Sequence, residues 1–239
     1  MDAAYAAVYA ELNARHWWWR AREAFLLSRI RELLPPDGRR RILDVGCGDG
    51  LFLDRLAPWG RAEGIETDVA TLSPAAAHRP IHLGPFDESY HPDAPFDLVL
   101  FLDVLEHLDR PDAALRRAAE LLAPGGRVLV SVPAFPALWT RHDVLNHHRL
   151  RYTRASLTAL ARGAGLRVEW SRYLFLSVAL GKVAVRLAET IGAGRPRPPR
   201  VPPAPLNALA RAVASVDLAV GRRLSLPLGS SLVAVLAPA

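Results

Sequence analysis

From Arg41 onward, short apolar runs alternate with stretches that repeat at helical spacing. Arg41-Ile-Leu-Asp-Val is followed by Leu51-Phe-Leu-Asp-Arg-Leu, and Ala62-Glu-Gly-Ile-Glu by a helix-like stretch over 69–77. Pro80-Ile-His-Leu, Phe96-Asp-Leu-Val-Leu-Phe-Leu, a helix over 111–122 and Arg127-Val-Leu-Val-Ser-Val continue the series. Strands that alternate with helices form βαβ units with right-handed crossovers, and these place parallel strands side by side under helices on both faces. The pattern predicts an α/β fold with a doubly wound, mostly parallel sheet. A ligand of such a sheet lies at the carboxyl ends of the strands.

The flanks read differently. Residues 3–34 have helical spacing, with Tyr5, Val8, Leu12, Trp19, Phe25, Leu26, Ile30 and Leu33 apolar and Pro35-Pro36 as the stop. Two helices with a break near His16 to Trp18 are the alternative. After a helix over 153–164, ended by Gly165, residues 166–170 form a sixth strand, and the next strand-like run starts only at Ser231. Residues 174–191 are apolar but carry Lys182, Arg186 and Glu189 at helical spacing, so they predict an amphipathic helix rather than a membrane span. The proline-rich stretch 195–205 predicts an extended linker. A second amphipathic helix follows, with Leu206, Leu209, Val213, Val216, Val220 and Leu224 on one face.

Those apolar stripes have two readings. They pack on each other and on the sheet, or they form a lid over a lipophilic substrate or a foot on a membrane surface, flanked by Arg195, Arg197, Arg200, Arg222 and Arg223. The domain boundaries expected are a helical cap over 1–36, a core over 37–172 plus 229–239, and a helical, proline-rich insertion over 173–228.

Charge sharpens this division. The net charge is +6, but residues 1–140 hold 15 Arg against 20 acids, whereas 141–239 hold 15 basic residues against 4 acids. Basicity therefore belongs to the C-terminal part, though 29 Arg against 1 Lys also fits a GC-rich coding sequence. Cys47 is the sole cysteine, which excludes an intramolecular disulfide, and Glu11, Arg15, Arg20, Arg22 and Glu23 interrupt any signal-peptide core. The expected home is cytoplasmic, with peripheral contact at the inner membrane face as the extension of the foot reading.

The candidate chemistry centres on Ile42-Leu-Asp44-Val-Gly46-Cys-Gly48-Asp-Gly50, a strand that runs into a glycine turn and then a helix. Glycines there permit positive φ and let backbone amides approach a ligand. A dinucleotide fingerprint counted from Gly46 would need its third glycine at position 51, which is Leu, so that reading fails. The spacing Asp-x-Gly-x-Gly-x-Gly instead resembles the first motif of class I S-adenosylmethionine-dependent methyltransferases. Glu66 ending the second strand, Phe96-Asp-Leu-Val-Leu-Phe-Leu-Asp103-Val-Leu-Glu106-His107 and Leu121-Leu-Ala-Pro124-Gly125-Gly126 are similar to the family's later motifs, in order.

The resemblance implies a seven-stranded sheet whose last strand is antiparallel and inserted between strands five and six. It implies S-adenosylmethionine as cofactor, with Asp44, Gly46, Gly48 and Gly50 around the methionyl part and sugar, Glu66 on the ribose hydroxyls, and Leu102 and Asp103 beside the methionyl end. The adenine-reading acid of the family follows the third strand; here Leu83-Gly84-Pro85-Phe86-Asp87 departs from the pattern, leaving Asp87 and Phe86 as the candidates. Cys47 reads as packing. Two further stretches, His16-Trp-Trp-Trp-Arg20 and His142-Asp143-Val-Leu-Asn146-His147-His148-Arg149-Leu-Arg151-Tyr152, resemble a narrower bacterial group of such enzymes and imply no particular substrate.

The loop over 133–152 leaves the carboxyl end of strand five and should border the transferable methyl group. Its His142, Asp143, His147 and His148 suit hydrogen bonding or proton transfer at least as well as a metal, so no metal is expected. Methyl transfer asks mainly for positioning, with a base where the acceptor must lose a proton. The candidates are His142, His107 and His147, in that order. The expected substrate is a small-molecule or lipid-like acceptor, methylated on oxygen or nitrogen. A nucleic-acid methyltransferase is the alternative, against which Leu102-Asp-Val-Leu stands where an Asn/Asp-Pro-Pro-aromatic motif is required; a non-catalytic binding subunit is the other.

Overall fold

The computed structural model describes residues 10–69, 72–190 and 199–239. Its strands are β1 (Arg40–Val45), β2 (Gly60–Glu66), β3 (Ile81–Leu83), β4 (Phe96–Leu102), β5 (Leu122–Pro133), β6 (Leu166–Leu174) and β7 (Ser231–Pro238). They form one seven-stranded sheet in the order β3-β2-β1-β4-β5-β7-β6. β1 pairs in parallel with β2 and β4, and β5 with β4, whereas β7 lies antiparallel between β5 and β6, as the resemblance implied. The strand order reverses direction beside β1 and β4, so their carboxyl ends open the crevice in which ligands of such sheets bind.

The β4 run shows why the sheet is buried on both sides. Val99 and Phe101 join a cluster with Leu115 and Ala118 of α3 (Pro111–Glu120) and Leu157 and Ala161 of α5 (Arg154–Gly163). Leu98 and Leu100, one residue out of phase, face Phe25, Leu26 and Ile30 of α1 (Trp17–Leu33) and Ala214 and Leu218 of α7 (Ala204–Arg223). Successive strand residues point to opposite faces, so a continuous apolar run feeds both layers.

Several elements differ from the sequence pattern. The N-terminal stretch is helical over 10–15 and again in α1, with the break at His16; residues 3–9 of the expected helix lie outside the described residues. His16 Nδ1 accepts from Trp18 N at 3.1 Å, and Asn207 of α7 accepts from Trp17 N and donates to Arg15 O, both at 2.9 Å. Side chains thus satisfy the groups that a helix terminus leaves unpaired. The helix expected after the glycine turn is the single turn α2 (Leu53–Leu56). The helix expected over 69–77, of which 70–71 lie outside the described residues, is a 3₁₀ turn, Pro74–His78. Proline disfavours helical geometry at the residue before it. Ser73 is extended, and its N–H and Oγ donate to Asp49 instead.

The insertion corrects the expectation about its apolar stripes. In α6 (Leu176–Thr190) the polar residues face the protein: Arg186 donates to Trp139 O at 2.9 Å, and Glu189 accepts from Arg141 N. Leu180, Val183 and Leu187 lie on the opposite face and are exposed, Leu187 to 63%. In α7 the face buried is Ala214, Leu218 and Gly221, while Leu206, Leu209, Val213, Val216, Val220 and, just beyond the helix, Leu224 are exposed. A Cβ at Gly221 would stand 3.4 Å from Leu174, so a small residue is what brings α7 close to β6. Asp217 fixes the pair by accepting from Leu176 N, Ser177 N and Ser177 Oγ at the start of α6. The exposed leucines and valines of the two helices therefore do not cover the sheet, although Val178 and Ala179 at the start of α6 join the core. Of the expected linker, 195–198 lie outside the described residues, and 199–203 are without regular structure. Among the described residues no helix is long and apolar enough to cross a membrane.

Candidate functional site

Gly46, Gly48 and Gly50 all take positive φ, at +68°, +54° and +70°. A Cβ at Gly46 would come 2.7 Å from Val104 Cγ2, whereas nothing lies within 4 Å of one at Gly48, where the turn faces open space. Glu66 closes the turn from β2. Its Oε2 accepts from Gly48 N at 2.8 Å and its Oε1 from Thr67 N at 2.8 Å and Asp68 N at 2.9 Å. A carboxylate offers about four acceptor positions, so three backbone donors leave capacity for a ligand hydroxyl.

A cavity of about 50 Å³ adjoins this turn, with Asp44, Gly46, Cys47 and Leu102 in its wall and Trp19, Arg22 and Glu23 of α1 above. Burial pushes the Asp44 carboxyl up to about 7, against the lowering influence of Arg22. Burial likewise raises the Cys47 thiol, and its Sγ would stand 2.4 Å from a Cβ at Gly64, so this cysteine packs against β2. Arg22 reaches Asp103 at 2.9 Å, and Ser131 Oγ donates to the same carboxylate at 3.0 Å. Asp103 itself takes φ +63°, a left-handed conformation that turns the chain sharply at the end of β4. Of the tryptophan run, Trp19 borders the cavity and Trp18 packs between Trp19 and Phe175. A wider shallow groove of about 550 Å³ on α7 is lined by none of the expected site residues.

Asp44, the three glycines, Glu66, Leu102 and Asp103 are thus gathered at the ends of β1, β2 and β4. Asp87 follows β3 in an exposed turn, where its Oδ1 accepts from Ser89 N and Oγ. Phe86 beside it packs on Phe101.

The loop after β5 folds back over the turn after β4. Tyr152 donates to Leu105 O, Arg149 N to Glu106 O, and Arg149 Nε to His107 O. Its hub is Asp143 of α4 (Arg141–Leu145), whose side chain is fully buried. That carboxylate accepts from Thr140 N and Oγ1, from Arg151 Nε and Nη2, and from His148 Nδ1 at 2.9 Å. Its hydrogen bonds and nearby cations hold its pKa well below the usual range despite burial. His142 lies on the same short helix, with Nε2 2.9 Å from Asn146 Nδ2; burial pushes its imidazole down to about 4, and Lys182 of α6 adds to this. His147 is exposed at φ +56° and stands apart from both. His107 is on the turn after β4, its ring edge-on to His148 at 4.9 Å between centroids.

Two residues of this region are not marked by their place in the sequence: Arg22, which no motif flags, and Glu106, which sits inside the fourth-strand motif without a role of its own. Glu106 is fully buried, and neither carboxylate oxygen has a hydrogen-bond partner from another described residue.

A family model described as a methyltransferase domain matches residues 18–170. A "probable S-adenosylmethionine-dependent methyltransferase" of Mycolicibacterium smegmatis is 30% identical over 181 residues, covering 73% of this chain and 69% of that one. A ubiquinone biosynthesis O-methyltransferase of Paracidovorax citrulli is 33% identical over 149 residues, covering 55% of this chain and 62% of the relative's own length. Among solved structures, a Haloferax volcanii methyltransferase in complex with the Trm112 methyltransferase activator has a TM-score of 0.61 at 20% identity, covering 98% of this chain and 94% of that one. At that identity the likeness speaks to fold alone.

Proposed function

The chain belongs to the S-adenosylmethionine-dependent methyltransferases of the methyltransferase-domain family, and from that premise we propose that it methylates a hydroxyl or amine of a small, lipid-like acceptor. The residues present fit the cofactor: open backbone at Gly48, the Glu66 carboxylate with spare acceptor capacity, and Asp44 and Arg22 across one cavity, complementary to an ammonium and a carboxylate. When bound, S-adenosylmethionine supplies a methyl group already activated by its sulfonium. Gly46, Gly48, Gly50 and Glu66 then hold the nucleoside side, and Asp44, Leu102 and Asp103 the amino-acid side. Asp87 stays the proposed adenine-side residue, since both bonds from Ser89 fall on its Oδ1 and Oδ2 keeps acceptor capacity.

The acceptor class rests on one observation, the outward apolar faces of α6 and α7. Aligned apolar side chains exposed in this number mark an interaction surface. Arg223, exposed at the end of α7, supplies a cationic flank that favours an anionic bilayer, whereas Arg222 turns to α1 and lies over Phe25. A foot of this kind presents the cleft to an acceptor dissolved in the bilayer, which agrees with the O-methyltransferases of ubiquinone biosynthesis among the relatives.

Flotation with anionic vesicles at low salt is expected to carry the chain upward, and Leu187→Glu with Val216→Glu to release it. Labelled methyl from S-adenosylmethionine is expected in prenylated phenols or amines presented in those vesicles. Wild-type chain that ignores the vesicles removes the membrane contact, and label that never reaches an apolar acceptor removes the acceptor class.

We also propose His142 as the group that takes the acceptor proton, because it sits on the loop after β5, which folds over the turn at the end of β4. His142→Ala should leave cofactor affinity unchanged and slow turnover on the order of 10²- to 10⁴-fold, the usual worth of general-base help. An unchanged rate would reduce His142 to a structural part of α4.

A further inference from the structure

We infer that Glu106, His107 and His148 form a binding site for one divalent transition-metal cation. One ligand atom from each residue lies within 4.8 Å of the other two. Ligands around a cation at bond lengths near 2.0–2.2 Å stand roughly 3–4 Å apart, so a small side-chain movement completes the set. His107 and His148 are brought together only by the fold, the first from the turn after β4 and the second from the loop after β5.

Glu106 is what points to a ligand. A fully buried carboxylate that takes no hydrogen bond from any other described residue is among the costliest groups a fold can hold. Burial and the neighbouring Asp103 carboxylate push the Glu106 carboxyl well above the usual range, and Arg22 and Arg151 offset this only in part, Arg22 being paired with Asp103 and Arg151 with Asp143. A cation coordinated at Glu106 supplies the partner that the protein withholds.

The histidines are prepared for the same task. The Asp143 carboxylate only accepts, so His148 Nδ1 carries the hydrogen of their 2.9 Å bond, and Nε2 presents its lone pair. Asp143 is itself immobilised by Arg151 and Thr140. A carboxylate behind a ligating histidine is the usual outer support of a metal site. His107 is hydrogen-bonded to the backbone of His147, which orients its ring in the same way. Two imidazoles and one carboxylate select Zn²⁺, Co²⁺, Fe²⁺ or Mn²⁺ over Mg²⁺ or Ca²⁺ and leave coordination positions open.

The open positions lie near the cofactor cleft. Asp103, three residues before Glu106, binds Arg22 at the edge of the glycine-turn cavity. Resting on the methyltransferase reading, the cation would bind the acceptor oxygen beside the transferable methyl and lower its pKa. The binding site itself does not depend on that reading.

The test uses the untagged full chain dialysed against Co²⁺ and, separately, Zn²⁺. Metal analysis and the visible absorption of Co²⁺ should report one equivalent, bound through histidine nitrogen. His107→Gln lies at an exposed position and removes no core contact, so it should remain folded and bind at least 10-fold more weakly, since even loss of an outer partner costs about 10- to 100-fold. Glu106→Gln and His148→Gln should behave alike. Wild-type chain that retains neither ion, or a folded His107→Gln that retains both at unchanged affinity, overturns the site. Calorimetry with S-adenosylmethionine on the same samples separates the two readings: cofactor binding without metal overturns this site alone, and metal binding without cofactor supports it while overturning the methyltransferase reading.

Discussion

Asp143→Ala is expected to lower the stability of the folded chain by about 3–5 kcal/mol, the cost of removing one partner from a buried ion pair. Asp143 is fully buried and Arg151 nearly so, and the carboxylate also holds Thr140 and His148. Its loss leaves a guanidinium stranded in the interior with one remaining acceptor, the Ala134 carbonyl. Urea unfolding of wild type and variant measures the difference. Asp109→Ala provides the contrast, because its pair with Arg149 is solvent-exposed on both sides and such pairs contribute about 0–1 kcal/mol. A loss below about 1 kcal/mol at Asp143 would show that solvent reaches Arg151, and that the loop after β5 is not pinned as described.

Glu66→Ala is expected to weaken S-adenosylmethionine binding roughly 10- to 150-fold, the equivalent of about 1.5–3 kcal/mol for hydrogen bonds to a charged group. Two effects combine: the ribose loses its acceptor, and the amides of Gly48, Thr67 and Asp68 lose the carboxylate that sets the turn. Glu66→Gln keeps the side-chain length and one acceptor oxygen, so it should fall between. Titration calorimetry reads the affinity, and a melting curve taken alongside shows whether the turn alone has loosened. Equal affinity in wild type and Glu66→Ala would place the nucleoside elsewhere.

Much of this was legible without coordinates, and for a local reason. A strand that runs into Asp44-Val-Gly46-Cys-Gly48-Asp-Gly50 needs positive φ at each glycine, and that need is written in the residues themselves. The buried strands are equally local: apolar runs bounded by turn residues have few other uses, and β1, β4 and β7 appear where the pattern placed them. Glu66 could be found because a strand end fixes its position relative to the turn beside it.

What the tertiary structure alone decided concerns partners rather than elements. The helical period groups Lys182 with Arg186 and sets Leu180, Val183 and Leu187 on the other side, but it does not say which face meets the protein. In α6 the polar face does, because Trp139 O and Arg141 N need partners there; in α7 Ala214 and Gly221 permit a close approach to β6 that the larger apolar residues would forbid. The same holds for His148 and Glu106. Residues far apart in the chain meet only when the loop after β5 folds over the turn after β4, and no local pattern records a contact whose two halves are specified separately. Sequence periodicity determines which side chains share a surface; close packing and hydrogen-bond satisfaction across the fold choose what that surface meets.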